Sequence, residues 1–158
     1  QYYGRYWNVA YGFYQATNQM PLASRTVFNF FLPDFQPIGP IADNDLVGPE
    51  FQIHNSRTSV EFINRVNDWA VWGYIMDDWE AENPHVTYNI DDLTPLARDP
   101  EVLINRLDVL FTHGMLSDRT RQIIKDAITP MISEDYRNDR TRLAMYLIMI
   151  SPDYAIMK

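Results

Sequence analysis

The segment from Thr26 to Arg57 constrains this chain most, because it is too apolar for a disordered linker and too rich in proline for one helix. It contains four prolines and five phenylalanines: Pro33, Pro37, Pro40 and Pro49, with Phe28, Phe30, Phe31, Phe35 and Phe51. The prolines fix φ and remove backbone donors, which predicts a mostly irregular or extended backbone. Such a long irregular connection is uncommon unless it is functional or wraps onto a core. The phenylalanine side chains are therefore expected to be buried.

Length and composition allow one globular domain over residues 1–158, with 46% apolar and 14% aromatic residues. The formal charge of −8 argues against a general nucleic-acid or anionic-membrane surface, because both are polyanionic. Cysteine is absent, which excludes disulfides, thiolate metal sites and cysteine nucleophiles.

The beginning of the chain suggests that it is a fragment or a processed product. It starts at Gln1 without an initiator methionine, and no signal peptide is evident. No apolar run is long enough to span a bilayer. An export signal could therefore lie upstream.

Two helices are predicted in the first half of the chain. Residues 1–16 place aromatic side chains on one helical face. A second helix is expected over about 59–79, with Thr58 and Glu61 forming a capping box. Its apolar stripe has a helical period: Phe62, Val66, Trp69, Trp72, Met76 and Trp79. The acidic residues that follow would lie at the carboxyl end of the helix, where the macrodipole disfavours them.

Further helices are predicted after a break at Asn83–Pro84. Residues 85–90 suggest a short extended piece without an obvious sheet partner, and residues 93–97 a single turn. Asp99 and Ser117 are expected to cap helices that end near Gly114 and at about residue 129. The last long helix would begin at Asn138 or Asp139 and form the centre of the core, followed by a turn to Met157. The predicted fold is all-α, an irregular bundle of about five helices with a long structured loop rich in proline and phenylalanine.

Several stretches resemble the C-terminal part of the bacterial domain-of-unknown-function 1800 family. They are Ser24–Phe31, Pro33–Pro40, Leu46–Ile53, the helix start at Asn55–Thr58, Arg142–Leu147 and Ile150–Tyr154. These stretches cover nearly the whole chain in the order found in the family. The residues that carry the signature are Phe28, Asn29, Phe30, Pro49, Glu50, Phe51 and Asn55.

The resemblance implies a mostly helical bacterial protein that is exported to the periplasm, the cell surface or the medium. It also implies that most of an N-terminal portion is missing, so contact with that portion or with a partner protein is expected. The family has no established reaction, so it supplies no catalytic residues.

Asp43 and Asp45 are weak candidates for a cation site, because Asp43-Asn44-Asp45 with Gly48 follows the start of a calcium loop. The pattern then fails, since Val47 and His54 occupy positions five and twelve, where ligands belong. The alternative is a solvated Asx-turn.

Glu50 and His54 are weak candidates for catalysis. A buried Glu50 would have a raised pKa and could work with His54 as a general acid and base. The alternative is that Glu50 anchors the loop by accepting from backbone N–H groups or by pairing with Arg25 or Arg57.

The remaining residue patterns do not indicate a specific function. The histidines at 54, 85 and 113 lack zinc spacing, and no hydrolase elbow, phosphate loop or dinucleotide motif is present, so no cofactor is expected. The tryptophans of the second helix, with Tyr74, could stack on sugars but are more typical of a core. Arg137, Arg140 and Arg142 are expected to pair with surplus carboxylates.

Three hypotheses follow. The first is a helical structural or interaction domain of an exported protein, without nucleic acid or a membrane span. The second is part of a hydrolytic or carbohydrate-processing enzyme that uses Glu50 and His54 in a cleft. The third is a cation-stabilised binding module.

Overall fold

The computed structural model describes residues 14, 16–20, 22–24, 26–27, 29–73, 76–77, 85–86 and 88–155. The chain divides into two compact units, Gln1–Arg65 and Val66–Lys158. Helices dominate the described residues, so the predicted all-α class and helical bundle are confirmed. The predicted helix over residues 1–16 lies outside them, except for Tyr14 and Ala16, which are helical. The single domain over 1–158 stays a prediction.

The first unit contains two short elements, helix α1 at Pro40–Asp43 and a 3₁₀ helix at Pro49–Gln52. Both begin with proline, whose fixed φ suits the first helical position. The rest of the segment around them is irregular, as predicted from its prolines. Ala16 is the one buried apolar side chain among the described residues of this unit.

Helix α2, Ser56–Ala70, begins three residues earlier than predicted, because Asn55 and not Thr58 is its N-cap. Asn55 Oδ1 accepts from the backbone N–H groups of Arg57 at 3.0 Å and Thr58 at 3.1 Å. The Thr58 hydroxyl oxygen in turn accepts from the Asn55 N–H at 2.9 Å. The pair is a reciprocal capping box in which threonine takes the usual place of glutamate.

Helix α2 ends at Ala70, so the predicted helix to residue 79 is wrong at this end. Gly73 has φ +78°, the left-handed conformation in which helices commonly terminate. Trp72 therefore leaves the predicted stripe and is 65% exposed, while Met76 lies in a strand. Trp79 and the acidic residues at 78, 80 and 82 lie outside the described residues.

The extended piece predicted after residue 84 does have a partner. Strand β1, Met76–Asp77, pairs antiparallel with strand β2, His85–Val86. A second 3₁₀ helix follows at Thr94–Arg98, close to the predicted turn. Its Pro95 stands in the first turn, and Leu93 occupies the N-cap position.

Helices α3, Pro100–Thr112, and α4, Asp118–Ile128, begin where their caps predict. Asp99 accepts from the Glu101 N–H at 2.9 Å, and Pro100 fills the first helical position. Ser117 Oγ accepts from the Thr120 N–H at the start of α4. The start of α4 is also held by Asp153, whose Oδ2 accepts from Ser117 Oγ and Thr120 Oγ1, both at 2.6 Å.

Helix α5, Tyr136–Met149, starts two residues before Asn138, so the predicted start at Asn138 or Asp139 is wrong. The side chains of both residues form hydrogen bonds other than a helix cap. Asn138 donates to Asp135 Oδ2 at 2.9 Å, and Asp139 accepts from Ser133 Oγ at 2.6 Å. The short helix α6, Pro152–Ala155, follows, as the predicted final turn requires.

The core of the second unit forms around α5, which packs against the second 3₁₀ helix, α3, α4 and α6. Its fully buried side chains include Leu103, Ile104 and Leu107 of α3, Ile124 and Ile128 of α4, and Ala144 and Ile148 of α5. The central place predicted for the last long helix is confirmed. Three apolar side chains of α3 and α4 are about half exposed: Val102, Leu110 and Ile123.

His113 caps the end of α3 in the left-handed conformation, with φ 56°. A side chain in this region costs roughly 1–2 kcal/mol relative to glycine. We expect His113→Gly to raise the free energy of unfolding by about 1 kcal/mol in urea titrations. The matched change is Gly114→Ala, at φ +81° with no atom within 4 Å of the added Cβ, which should lower it by a similar amount. If the His113→Gly protein were less stable than wild type, the left-handed conformation of His113 would not be a source of backbone strain.

Among the described residues, no helix has both the length and the apolar character needed to cross a bilayer.

Candidate functional site

Two hydrogen bonds within the predicted long loop connect residues near its beginning to residues near its end. The Leu32 N–H donates to Gln52 Oε1 at 2.7 Å, and the Gly48 N–H donates to the Phe35 carbonyl at 2.9 Å. Because these bonds join the beginning and the end of the segment, residues 32–52 form a closed loop with its own internal structure. This segment is called the 32–52 loop below.

The middle of the 32–52 loop is fixed by backbone bonds around α1. The Leu46 N–H donates to the Ile41 carbonyl at 3.0 Å, and Asn44 Nδ2 donates to the Pro40 carbonyl at 2.7 Å. Asp45 adopts the left-handed conformation at φ 53°, a region that aspartate tolerates better than most residues. The loop therefore has a defined backbone conformation and is not a flexible linker.

Gly48 makes room for the Phe51 ring. A Cβ at position 48 would lie 2.9 Å from Phe51 Cδ2 and 3.5 Å from Ile41 Cδ1. One face of the ring thus rests on the Gly48 backbone, while Phe51 as a whole remains 49% exposed.

The burial predicted for the phenylalanines is not found. Phe51 is half exposed, Phe30, Phe31 and Phe35 are only half-buried, and Phe28 lies outside the described residues. Phe35 and Phe51 lie within a loop that closes through its own hydrogen bonds, so their burial depends on the few apolar side chains of that loop.

The 32–52 loop carries five of the eighteen exposed large apolar side chains among the described residues. Leu46 and Val47 are 58% and 54% exposed, and Ile38 is fully exposed. Leu32 and Phe51 add to the same segment. Apolar side chains that are exposed on one ordered segment offer a surface that a binding partner could cover.

All the charge on the 32–52 loop is negative. Asp34, Asp43, Asp45 and Glu50 are exposed, and the segment contains neither lysine nor arginine. Within the part of the chain that the structure describes, no three His, Asp or Glu side chains come together as metal ligands. Asp43 and Asp45 thus have no third His, Asp or Glu beside them among the described residues, and a cation at this place stays a prediction.

Glu50 and His54 are both exposed, so the burial assumed for a general acid and base is not found. His54 contacts the edge of the Phe51 ring at a centroid separation of 6.0 Å, and its Nε2 lies 3.2 Å from Ser59 Oγ. Ser59 Oγ also donates to the Asn55 carbonyl at 2.7 Å. Because this bond engages the one hydroxyl proton, the His54–Ser59 contact requires the tautomer that carries a proton on His54 Nε2.

The anchoring role predicted for Glu50 requires a partner for its carboxylate. One predicted partner, Arg25, lies outside the described residues, and the other, Arg57, donates to Asn18 Oδ1 at 3.1 Å. The exposure of Glu50 removes the need for a buried anchor at this position.

The arginines of α5 do not follow the predicted pairing with carboxylates. Arg140 is buried and donates to the carbonyls of Ala97, Ile128 and Thr129. Arg142 Nη1 lies 3.4 Å from both the Ala70 carbonyl and the Tyr88 hydroxyl, while Arg137 is exposed. Carbonyls at helix ends thus take the place of carboxylates, because they carry the negative end of the helix dipole.

Tyr88 joins Arg142 at the carboxyl end of α2, where its hydroxyl donates to the Ala70 carbonyl at 2.7 Å. Burial raises the pKa of Tyr88, and the nearby Arg142 guanidinium opposes part of that rise. The hydroxyl therefore keeps its proton and remains a donor to Ala70. A Cβ at position 73 would lie 2.6 Å from Arg142 Nη1, so any larger residue there would displace the guanidinium.

The predicted sugar-stacking platform is not assembled in the described residues. Trp69 is half-buried and Trp72 is exposed beyond the end of α2. Tyr74 and Trp79 lie outside the described residues.

No family model, curated protein or solved structure matches the chain. The relationship to the domain-of-unknown-function 1800 family therefore stays a prediction from the quoted motifs.

The surface on the 32–52 loop was missed at the sequence level, because burial was predicted for the phenylalanines and no prediction was made for the other apolar side chains of the segment. A usable signal was present, however. Leu46 and Val47 stand between Asp45 and Gly48-Pro49, a polar and turn-forming context that is typical of exposed positions.

Proposed function

We propose that the chain is a helical structural and interaction domain whose 32–52 loop contacts a partner protein or a further portion of its own protein. The observation that carries this proposal is the set of exposed apolar side chains on a loop that is closed by its own hydrogen bonds. A closed loop loses little conformational entropy on binding, because its backbone is already ordered. The resemblance supports the further proposal that the protein is exported from a bacterial cell.

Within the described residues, the hydrolytic alternative has no specific support. Glu50 and His54 are exposed, and the Ser59 hydroxyl is engaged by the Asn55 carbonyl.

Photo-crosslinking in the cells that naturally produce the protein tests the proposed contact. A photoreactive phenylalanine analogue at Val47 should give a discrete crosslinked product, because that side chain is exposed on the loop. The matched control places the analogue at Gln122, an exposed polar position on α4, and should give none.

Competition makes the crosslinking result specific to the loop. Excess purified wild-type protein should suppress the product, whereas protein carrying Leu46→Ser and Val47→Ser should not. Equal products from positions 47 and 122, or none from position 47, would contradict the proposed contact surface.

A further inference from the structure

We propose that the 32–52 loop binds a basic amphipathic segment, one that carries lysine or arginine beside large apolar side chains. This inference rests on the proposed function and names the chemistry of the partner.

The first argument is charge complementarity. Four exposed carboxylates accompany the exposed apolar side chains of the loop, and no basic side chain of the segment offsets them. Asp43 and Asp45 flank Asn44 immediately before Leu46 and Val47, so acidic and apolar groups are neighbours along the chain. A partner with lysine or arginine around its apolar side chains could pair with these carboxylates and cover the apolar side chains of the loop. Attraction between the opposite charges would also speed its association.

The same charges disfavour the other occupants of an apolar surface. A second copy would bring an identical acidic loop, and a net charge of −8, against the first. An anionic membrane would be repelled for the same reason. A basic protein segment remains the occupant that the loop fits.

The order of the loop supports a specific contact rather than diffuse attraction. The bonds from Leu32 to Gln52 and from Gly48 to Phe35 hold the carboxylates and apolar side chains on one closed piece of backbone. A basic peptide should therefore distinguish these carboxylates from other exposed acids of the chain.

The test titrates the protein with a labelled synthetic helix-forming peptide that has leucine on one face and lysine on the other. Two control peptides accompany it: one with glutamate in place of lysine, and one of the same composition with its leucines scattered. The leucine–lysine peptide should bind, and its Kd should rise as salt increases from about 0.02 to 0.5 M. The glutamate peptide should not bind.

Matched protein variants locate the binding. Asp43→Asn with Asp45→Asn should raise the Kd about fivefold, since exposed ion pairs are individually weak. Asp91→Asn with Asp92→Asn removes the same charge from another exposed acidic pair and should change it less than about twofold.

The apolar contribution is tested in the same way. Leu46→Ser with Val47→Ser should raise the Kd at least as much as the charge changes. The control, Val102→Ser with Val109→Ser, alters two exposed valines of α3 and should leave it unchanged. Thermal melts should show that all four proteins remain folded.

The outcomes separate this inference from the proposed function. Equal binding of the glutamate peptide, or equal effects of the two acidic pairs, would overturn the basic partner while the crosslink at position 47 still supports a contact surface. Dimerisation that is lost in Leu46→Ser with Val47→Ser would replace the basic segment by a second copy. If no loop variant differs from its control and position 47 gives no crosslink, both proposals are wrong.

Discussion

Replacing Arg140 with alanine is expected to lower the free energy of unfolding of the second unit by about 3–5 kcal/mol, the largest effect of any single arginine in α5. The side chain is 8% exposed, and its donors reach three carbonyls: Nε to Ile128 at 3.0 Å, Nη1 to Ala97 at 3.0 Å and Nη2 to Thr129 at 2.8 Å. Without it, acceptors at the end of α4 and of the second 3₁₀ helix lose their donor inside the protein. The Tyr136 ring also loses a guanidinium 4.7 Å from its centroid.

Two further variants separate hydrogen bonding from packing. Arg140→Met keeps most of the side-chain volume but donates nothing, so it should remain about 3 kcal/mol less stable than wild type. Arg137→Ala, at an exposed position of the same helix, should change stability by less than about 0.5 kcal/mol. Urea unfolding followed by far-ultraviolet circular dichroism measures all three. A methionine variant as stable as wild type would show that the carbonyls do not need Arg140.

The starts of α3 and α4 could be predicted because each cap forms among neighbouring residues, whereas the start of α5 could not. Asp99 with Pro100, and Ser117 with Thr120, form their caps from side chains and backbone within three residues. The end of α2 depends on Gly73, which the sequence also displays, but the long aromatic stripe favoured continuation past it. Here a left-handed glycine outweighed helical periodicity.

Other features require contacts between residues that are distant in sequence. Arg140 and Ala97 are 43 residues apart in the sequence. No local sequence pattern predicts that the Arg140 guanidinium donates to carbonyl oxygens and not to carboxylates. The exposure of Phe51 likewise depends on how Phe35 and Gly48 close the 32–52 loop. Composition predicts that phenylalanines will be buried in general, but it does not predict which of them a self-bonded loop leaves outside.

Asp108→Ala is expected to destabilise the second unit by about 3–5 kcal/mol, because it removes the acceptor from a buried charged cluster. The Asp108 carboxylate is buried on α3 and accepts from the Thr112 hydroxyl, the Leu116 N–H at 3.0 Å and Arg121 Nη2 at 2.7 Å. It therefore joins the turn after α3 to a side chain of α4. Alanine leaves the Leu116 N–H and part of the Arg121 guanidinium without their partner.

Two measurements distinguish this network from a general loss of packing. Amide hydrogen exchange at Leu116 should accelerate in Asp108→Ala more than exchange at Leu103, because only the former donates to Asp108. A double-mutant cycle with Arg121→Met should give a coupling free energy of about 1–3 kcal/mol, as expected for charges in direct contact. Asp126→Ala is the matched control, because that carboxylate is exposed on α4 and accepts only from Gln122 of the same helix. Purely additive effects of Asp108→Ala and Arg121→Met would show that the 2.7 Å ion pair does not hold α3 and α4 together.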